Sequence, residues 1–311
     1  MSTNAAAAID SAVAISLVQH NRRYYPDMAR ADRQGNAEGA LPRLSGARYV
    51  VPLREGGSLP AVVDTDGEGT FVVKFRGAGQ GPKALIAEVL VALIAQALKE
   101  LPIPEPAIVD IDEGFGKAEP DPEIQDILRG SVGANFGLEY LPGALAFDPA
   151  VDSRLLSPEL AADIVWLDAF VTNVDRTSRN TNILVCGEKV WLIDHGAALF
   201  FHHRWSGWRE RIHSPFPQIA DHVLLPLAGD LQAADARLRP RLTPQVLQQI
   251  VDQVPEEWLA PDDDAGEDLR SAYATYLHER LTGPRKWLPE AMEAQRRGPK
   301  TLQRRLTHRV V

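Results

Sequence analysis
Between Pro82 and Leu98 the chain reads PKALIAEVLVALIAQAL, an apolar run interrupted by one carboxylate, Glu88. Proline suits the first turn of a helix, and apolar side chains then occupy most of its faces, so a helix packed against other elements is expected from Pro82 to about Leu98. Burying an unpaired charge is costly. Glu88 therefore either lies on a solvent-facing stripe or meets a partner. The strand before the helix poses the same question, because TFVVKF (70–75) is apolar except for Lys74 at its end. A lysine there can reach water along its own methylene stem, or it can meet an anion.

The neighbouring segments alternate in strand-like fashion. Strands are expected over 47–53, 59–65 and 70–75, the last two joined through DGEG, whose Asp-Gly tolerates the positive φ of a tight turn. Further strands are expected over 105–112 and 134–141, with 113–131 as a surface excursion between them. From Ser157 the texture turns helical: Ser157 is a plausible N-cap, Pro158 takes the first helical position, and Glu159 stands in the first turn. TNILVCGEKVWLID (181–194) reads as two short strands around GEK, and the rest is helical, broken at its prolines. Pro, Gly, Asp and Ser gather over 142–156. The expected organisation is an N-terminal helix and polar arm (1–46), a β-rich unit with one helix (47–142) and a helical unit (143–311), an α+β chain.

A formal charge of −9 over 311 residues disfavours non-specific binding to nucleic acid or to a membrane surface, both of which want a basic footprint. One cysteine, Cys186, excludes an intramolecular disulfide and a multi-cysteine metal site. The first twenty residues have no basic group ahead of their apolar part and are broken by Asp10, unlike a signal peptide. A cytoplasmic protein is expected. RGAGQGPK (76–83) ends Pro-Lys-Ala and so lacks the Gly-Lys-Ser/Thr close of a Walker loop. His202, His203 and His213 have no ligand set at metal-binding spacing, and FHHRWSGWRERIHSPF (201–216) reads as an exposed segment whose Trp205 and Trp208 could contact substrate. PDDDAGED (261–268) reads as a solvated loop.

The chemistry is concentrated in LDAFVTNVDRTSRNTNILVCGEKVWLIDHGAAL (167–199). A helix feeds a polar loop holding Asp175, Arg176, Asn180 and Asn182, and a strand pair then delivers Asp194 just before His195-Gly196. Asp and Asn often stand in such loops merely to bond their own backbone. Yet phosphoryl transfer needs these parts: a carboxylate to orient or deprotonate a hydroxyl, oxygen ligands for Mg²⁺, and a lysine to neutralise phosphate charge.

The set DRTSRN (175–180), IDHG (193–196), Lys74 and Glu88 resembles the protein-kinase-like superfamily, and its wording is closer to the HipA-like kinases and the phosphatidylinositol 3- and 4-kinases. The resemblance covers about residues 47–225, including DHVLLPLA (221–228). It implies a bilobal protein-kinase-like fold with a β-rich N-lobe and a mainly helical C-lobe. It also implies an ATP- and Mg²⁺-dependent phosphotransferase, with a serine or threonine of a protein as the favoured acceptor and a small molecule or lipid as the alternative. Lys74 would contact the ATP phosphates and pair with Glu88, and Asp175 would be the catalytic base. Asn180 and Asp194 would be metal ligands, with Asn182 a second candidate because it stands directly before Ile183-Leu184. Gly56, Gly57 and Ser58 would form the phosphate-covering turn, Ser58 being also a candidate for self-modification. The backbone at Glu139, Tyr140 and Leu141 would read the adenine edge. The chain departs from the pattern in three places: the covering turn lacks G-x-G-x-x-G, NVD replaces H-R-D, and His195 stands where other kinases carry Phe. A catalytically silent regulator that binds nucleotide or a protein partner is the rival reading, and a nucleic-acid-binding toxin or antitoxin component the third. Oligomeric state is not legible.

Overall fold
The computed structural model describes residues 40–298 except 54–58, 68, 80, 260–264, 266 and 267. Its first part comprises β1 (Arg43–Pro52), β2 (Ala61–Thr65), β3 (Thr70–Lys74), α1 (Gly81–Leu98), β4 (Pro106–Ile111), α2 (Pro122–Arg129) and β5 (Gly133–Glu139). The strands pair in the order β1-β2-β3-β5-β4, and β1 returns to β4 in parallel over Arg43–Ser45 to close a barrel. Closure leaves no unpaired edge. Side chains alternate across each strand. Val63, Phe71, Val73 and Val109 fill the barrel, while Ile108, Phe136 and Leu138 on the opposite face join the larger core around α1. Gly137 lies where the barrel wall is tight: a Cβ there would stand 2.9 Å from Val109 Cγ2 and 3.4 Å from Phe71 Cβ. The strand needs a residue with no side chain at this point.

Helix α1 begins as the proline signal indicates. By length and composition it could cross a bilayer, yet 72% of it is buried inside the protein, as in a core helix.

The second part contains β6 (Leu145–Ala146), α3 (Pro149–Asp152), α4 (Pro158–Phe170), β7 (Ile183–Cys186), β8 (Lys189–Leu192), α5 (Trp208–Arg211), α6 (Leu231–Leu238), α7 (Pro244–Asp252), α8 (Leu269–Thr282) and α9 (Trp287–Arg297). Ser157 caps α4 by accepting from the Leu160 amide at 3.0 Å. At the other end, Ala169 and Phe170 have no next turn to bond to. The buried guanidinium of Arg280 in α8 donates to both carbonyls, at 3.1 and 2.7 Å, and reaches Ile212 O at 2.9 Å. The end of α4, which leads into the polar loop, is thereby fixed from a hundred residues away.

Three sequence expectations change. Strand β1 starts at Arg43, inside the segment expected to be an arm, because its first residues close the barrel. The excursion 113–131 contains helix α2, whose Ile124 and Leu128 join the barrel core, since apolar residues four apart share one helix face. Segment 201–216 buries its aromatic residues: Phe201, Trp205, Trp208 and Phe216 are each at most 3% exposed. Phe201 stacks on Tyr276 of α8 with ring centroids 3.6 Å apart. Trp205 and Trp208 are thus core residues and do not reach a substrate. The motif at 54–58 and most of 261–268 lie outside the described residues.

Within that aromatic cluster His202 Nδ1 lies 2.9 Å from the Tyr273 hydroxyl. Burial pushes its pKa well below the ordinary value, with His203 and Lys83 adding to the effect. Such a histidine is protonated in the unfolded chain but not in the folded one, so its contribution is intact above the ordinary pKa and is lost as pH falls below it. Between pH 7 and pH 5.5 the His202→Gln variant should lose about 1 kcal/mol less unfolding free energy than wild type, measured by urea titration at both pH values. Gly137→Val should overpack the barrel and cost about 1–3 kcal/mol in the same assay at pH 7.

Candidate active site
Strand alternation sends Val73 into the barrel and turns Lys74 the other way. Glu88, in the middle of α1, is fully buried. Lys74 Nζ donates to Glu88 Oε1 and, at 2.6 Å, to Asp194 Oδ1 just beyond β8. The lysine is nearly buried and Asp194 is half-exposed. Burial opposes the ammonium charge, but the Glu88 and Asp194 carboxylates outweigh it and hold the Lys74 pKa above its ordinary value. The same ammonium overcomes burial at Asp194 and lowers that carboxyl's pKa. At Glu88 burial dominates and the pKa rises. Glu88 Oε2 has no hydrogen-bond partner among the described residues. One cation thus serves two carboxylates.

The polar loop is built on a second buried carboxylate. Asp168, in the last turns of α4, is fully buried. It accepts from Arg176 Nε at 2.6 Å, His222 Nε2 at 2.9 Å and Asn173 Nδ2 at 3.0 Å. Burial would raise its pKa, but Arg176 and His222 drive it well below the carboxylate range. His222 Nδ1 accepts from the Leu224 amide at 3.0 Å, so the ring proton resides on Nε2 and points to Asp168. Asn173 in turn accepts the Asp175 amide at 3.1 Å. Arg176 extends the network: its Nη1 donates to Asn182 O and, at 3.3 Å, to Ile193 O, and its Nη2 meets His195 Nδ1 at 3.1 Å. A guanidinium only donates, so His195 carries its proton on Nε2. Burial, reinforced by Arg176, pushes the His195 pKa down to about 3. One arginine therefore fastens the Asp175 loop to the strand that presents Asp194.

Asp175 Oδ2 accepts from Asn180 Nδ2 at 2.7 Å and from Asn182 Nδ2 at 3.3 Å. Both asparagines identified in the sequence therefore face the same carboxylate, Asn180 exposed and Asn182 buried. Asn182 and Asp194 adopt left-handed φ values of 48° and 53°. Non-glycine residues hold that conformation at a cost and tend to do so at functional sites. Here Ile193 N donates to Asn182 O at 3.1 Å, and Arg176 braces both neighbours.

The donors fit a magnesium-type ion. Among the described residues no three His, Cys, Asp or Glu side chains form a metal-binding group. What the loop offers is the Asp194 carboxylate and two amide oxygens, because the amide nitrogens of Asn180 and Asn182 are turned to Asp175. An oxygen-only set with few carboxylates suits Mg²⁺ brought in on phosphates better than a free-standing metal site. At the segment expected to read adenine, the Glu139 amide donates to Glu105 O and the Tyr140 amide to Thr70 O, each at 2.9 Å. Those amides are committed within the fold, which leaves the carbonyls and the Leu141 amide. Gly56, Gly57 and Ser58 lie outside the described residues.

Lys74, Glu88 and Asp194 thus meet directly, as do Asp175, Asn180 and Asn182, and Arg176 ties the two groups. The HipA-like kinase family matches residues 50–283. The chain belongs to the HipA-like kinase family. The solved structure of a Helicobacter pylori proinflammatory kinase, CtkA, shares the fold with a TM-score of 0.51 at 12% identity, covering 83% of this chain and 98% of that one. No curated protein sequence matches the chain.

This HipA-like kinase has two site features that motif reading misses, Asp168 and His222. The available signal was a carboxylate amid the apolar ADIVWLDAF (162–170), the same signal that marks Glu88. Arg176→Ala leaves Asp168 short of its main counter-charge in the interior and should cost about 3–5 kcal/mol, read from urea midpoints. Adding Asp168→Asn to that variant should recover part of the loss, because the uncompensated charge is then gone.

Proposed function
We propose that this HipA-like kinase is an ATP- and Mg²⁺-dependent serine/threonine protein kinase with its active site in a cleft between two lobes. The observation that carries the reading is the direct contact of Lys74 with both Glu88 and Asp194, beside an Asp175 held by two asparagine amides. Lys74 is aimed at a locus of negative charge and, once a triphosphate enters, can share its protons between phosphate oxygens and the two carboxylates. Bound Mg²⁺ neutralises phosphate charge, and Asp194 with the amide oxygens of Asn180 and Asn182 would hold it. Leu141 N–H and the neighbouring carbonyls would orient the adenine.

Asp175 is half-buried and accepts bonds on Oδ2, so Oδ1 is the atom that would take the acceptor's proton. The acceptor oxygen bonds the γ-phosphorus, the bond from that phosphorus to the β–γ bridging oxygen breaks, and ADP leaves with the bridging oxygen. Arg176 and Asn173 fix the loop backbone so that the carboxylate does not reorganise during transfer.

The test is transfer from γ-labelled ATP to the protein itself and to lysate proteins, with mass spectrometry of the labelled species. Asp175→Ala should lower the transfer rate by about 10²–10⁴-fold while nucleotide affinity persists. Undiminished transfer by that variant removes the base assignment, and label confined to small molecules removes the protein acceptor.

A further inference from the structure
A cavity of about 580 Å³ opens beside the catalytic loop, and none of the roles assigned above uses it. One side is the loop itself, Thr177, Ser178 and Arg179; the facing wall is the segment 220–226, and Ala294 of α9 contributes to the lining. Loop and wall form one hydrogen-bonded unit. Val223 N donates to Arg176 O at 3.1 Å, Thr177 and His222 make an antiparallel bridge, and His222 is anchored on Asp168. The network that sets Asp175 therefore also sets this cavity, which is preformed.

Its chemistry is mixed. Ala220, Val223, Leu225 and Ala294 give apolar surface, Thr177 and Ser178 give hydroxyls, Asp221 on the facing wall adds a carboxylate, and Arg179 brings an exposed cation from the loop side. Arg179 differs from Arg176, Arg237, Arg241, Arg270 and Arg285, each of which bonds a carboxylate or carbonyl. Among the described residues the Arg179 guanidinium makes no ion pair.

Asp175 is not part of the lining. It precedes Thr177 by two residues, a span of at most about 7 Å. A compact molecule filling the cavity would hold its hydroxyl away from the base. An extended chain can place a hydroxyl at Asp175 and a neighbouring residue in the cavity, because successive residues advance about 3.3 Å. We propose that the cavity docks the acceptor polypeptide, with an acidic residue beside the phosphorylated serine or threonine pairing with Arg179 and an apolar neighbour seated on Ala220, Leu225 and Ala294. This rests on the protein-kinase reading and adds to it a docking site and a sequence preference.

The experiment is a positional-scanning library of peptides with a fixed serine or threonine, phosphorylated with γ-labelled ATP. Wild-type protein should select Asp or Glu at one position close to the acceptor. Arg179→Glu should switch that position to Lys or Arg and raise the KM for the best acidic peptide about tenfold. Ala220→Trp, which fills the cavity from a half-buried position, should raise the KM for peptide more than that for ATP. Phosphorylation without any charge preference, or an acidic preference that survives Arg179→Glu, overturns the docking site and leaves the kinase reading standing. Failure to label any peptide, with Asp175-dependent label on a small molecule, overturns the polypeptide acceptor along with it.

Discussion
The Asp168 carboxylate is the constraint on which the active-site region depends. A buried charge without partners would be intolerable, so the fold surrounds it with Arg176, His222 and Asn173. Each partner then carries the constraint outward. Asn173 fixes the Asp175 amide, Arg176 fixes the carbonyls of Asn182 and Ile193 and the ring of His195, and His222 fixes the wall at 220–226. Four chain segments that would otherwise move independently share one ionic centre. That arrangement explains how Asn182 and Asp194 can be held at left-handed φ.

The second buried carboxylate, Glu88, works in the opposite sense. Among the described residues its Oε2 has no hydrogen-bond partner, and Lys74 is shared between Glu88 and Asp194. A lysine shared between two carboxylates, one of them half-exposed, can turn towards a ligand, whereas Asp168 is saturated and sealed. Saturation gives rigidity, and a shared partner leaves capacity for a ligand. The contrast separates framework from site more clearly than burial alone does.

Most of the strand and helix pattern is legible in the residues. TFVVKF, the DGEG turn, the Pro82 start and the Ser157 cap each fall where the structure has a strand, a turn or a helix end, because local chemistry decides those features. The failures come where tertiary packing overrides texture. RLSG (43–46) looks like polar arm but closes the barrel. PEIQDILR (122–129) looks like surface but sends Ile124 and Leu128 into the core. Trp205 and Trp208 carry polar neighbours yet are buried, because α8 supplies the aromatic surface that covers them.

For the site, the primary structure by itself determined the candidates: a lysine ending an apolar strand, a glutamate inside an apolar helix, and Asp175, Asn180, Asn182 and Asp194 around one strand pair. Residue type and spacing suffice for that, since the chemistry limits which groups can serve. Only the tertiary structure decided that Lys74 bridges Glu88 and Asp194, that both asparagines turn to Asp175, and that Asp168 and His222 govern the loop. Those contacts join residues up to 120 positions apart. No local pattern encodes such a pairing, because it exists only once the barrel, α1 and α4 have packed and excluded the water that would otherwise solvate each charge alone.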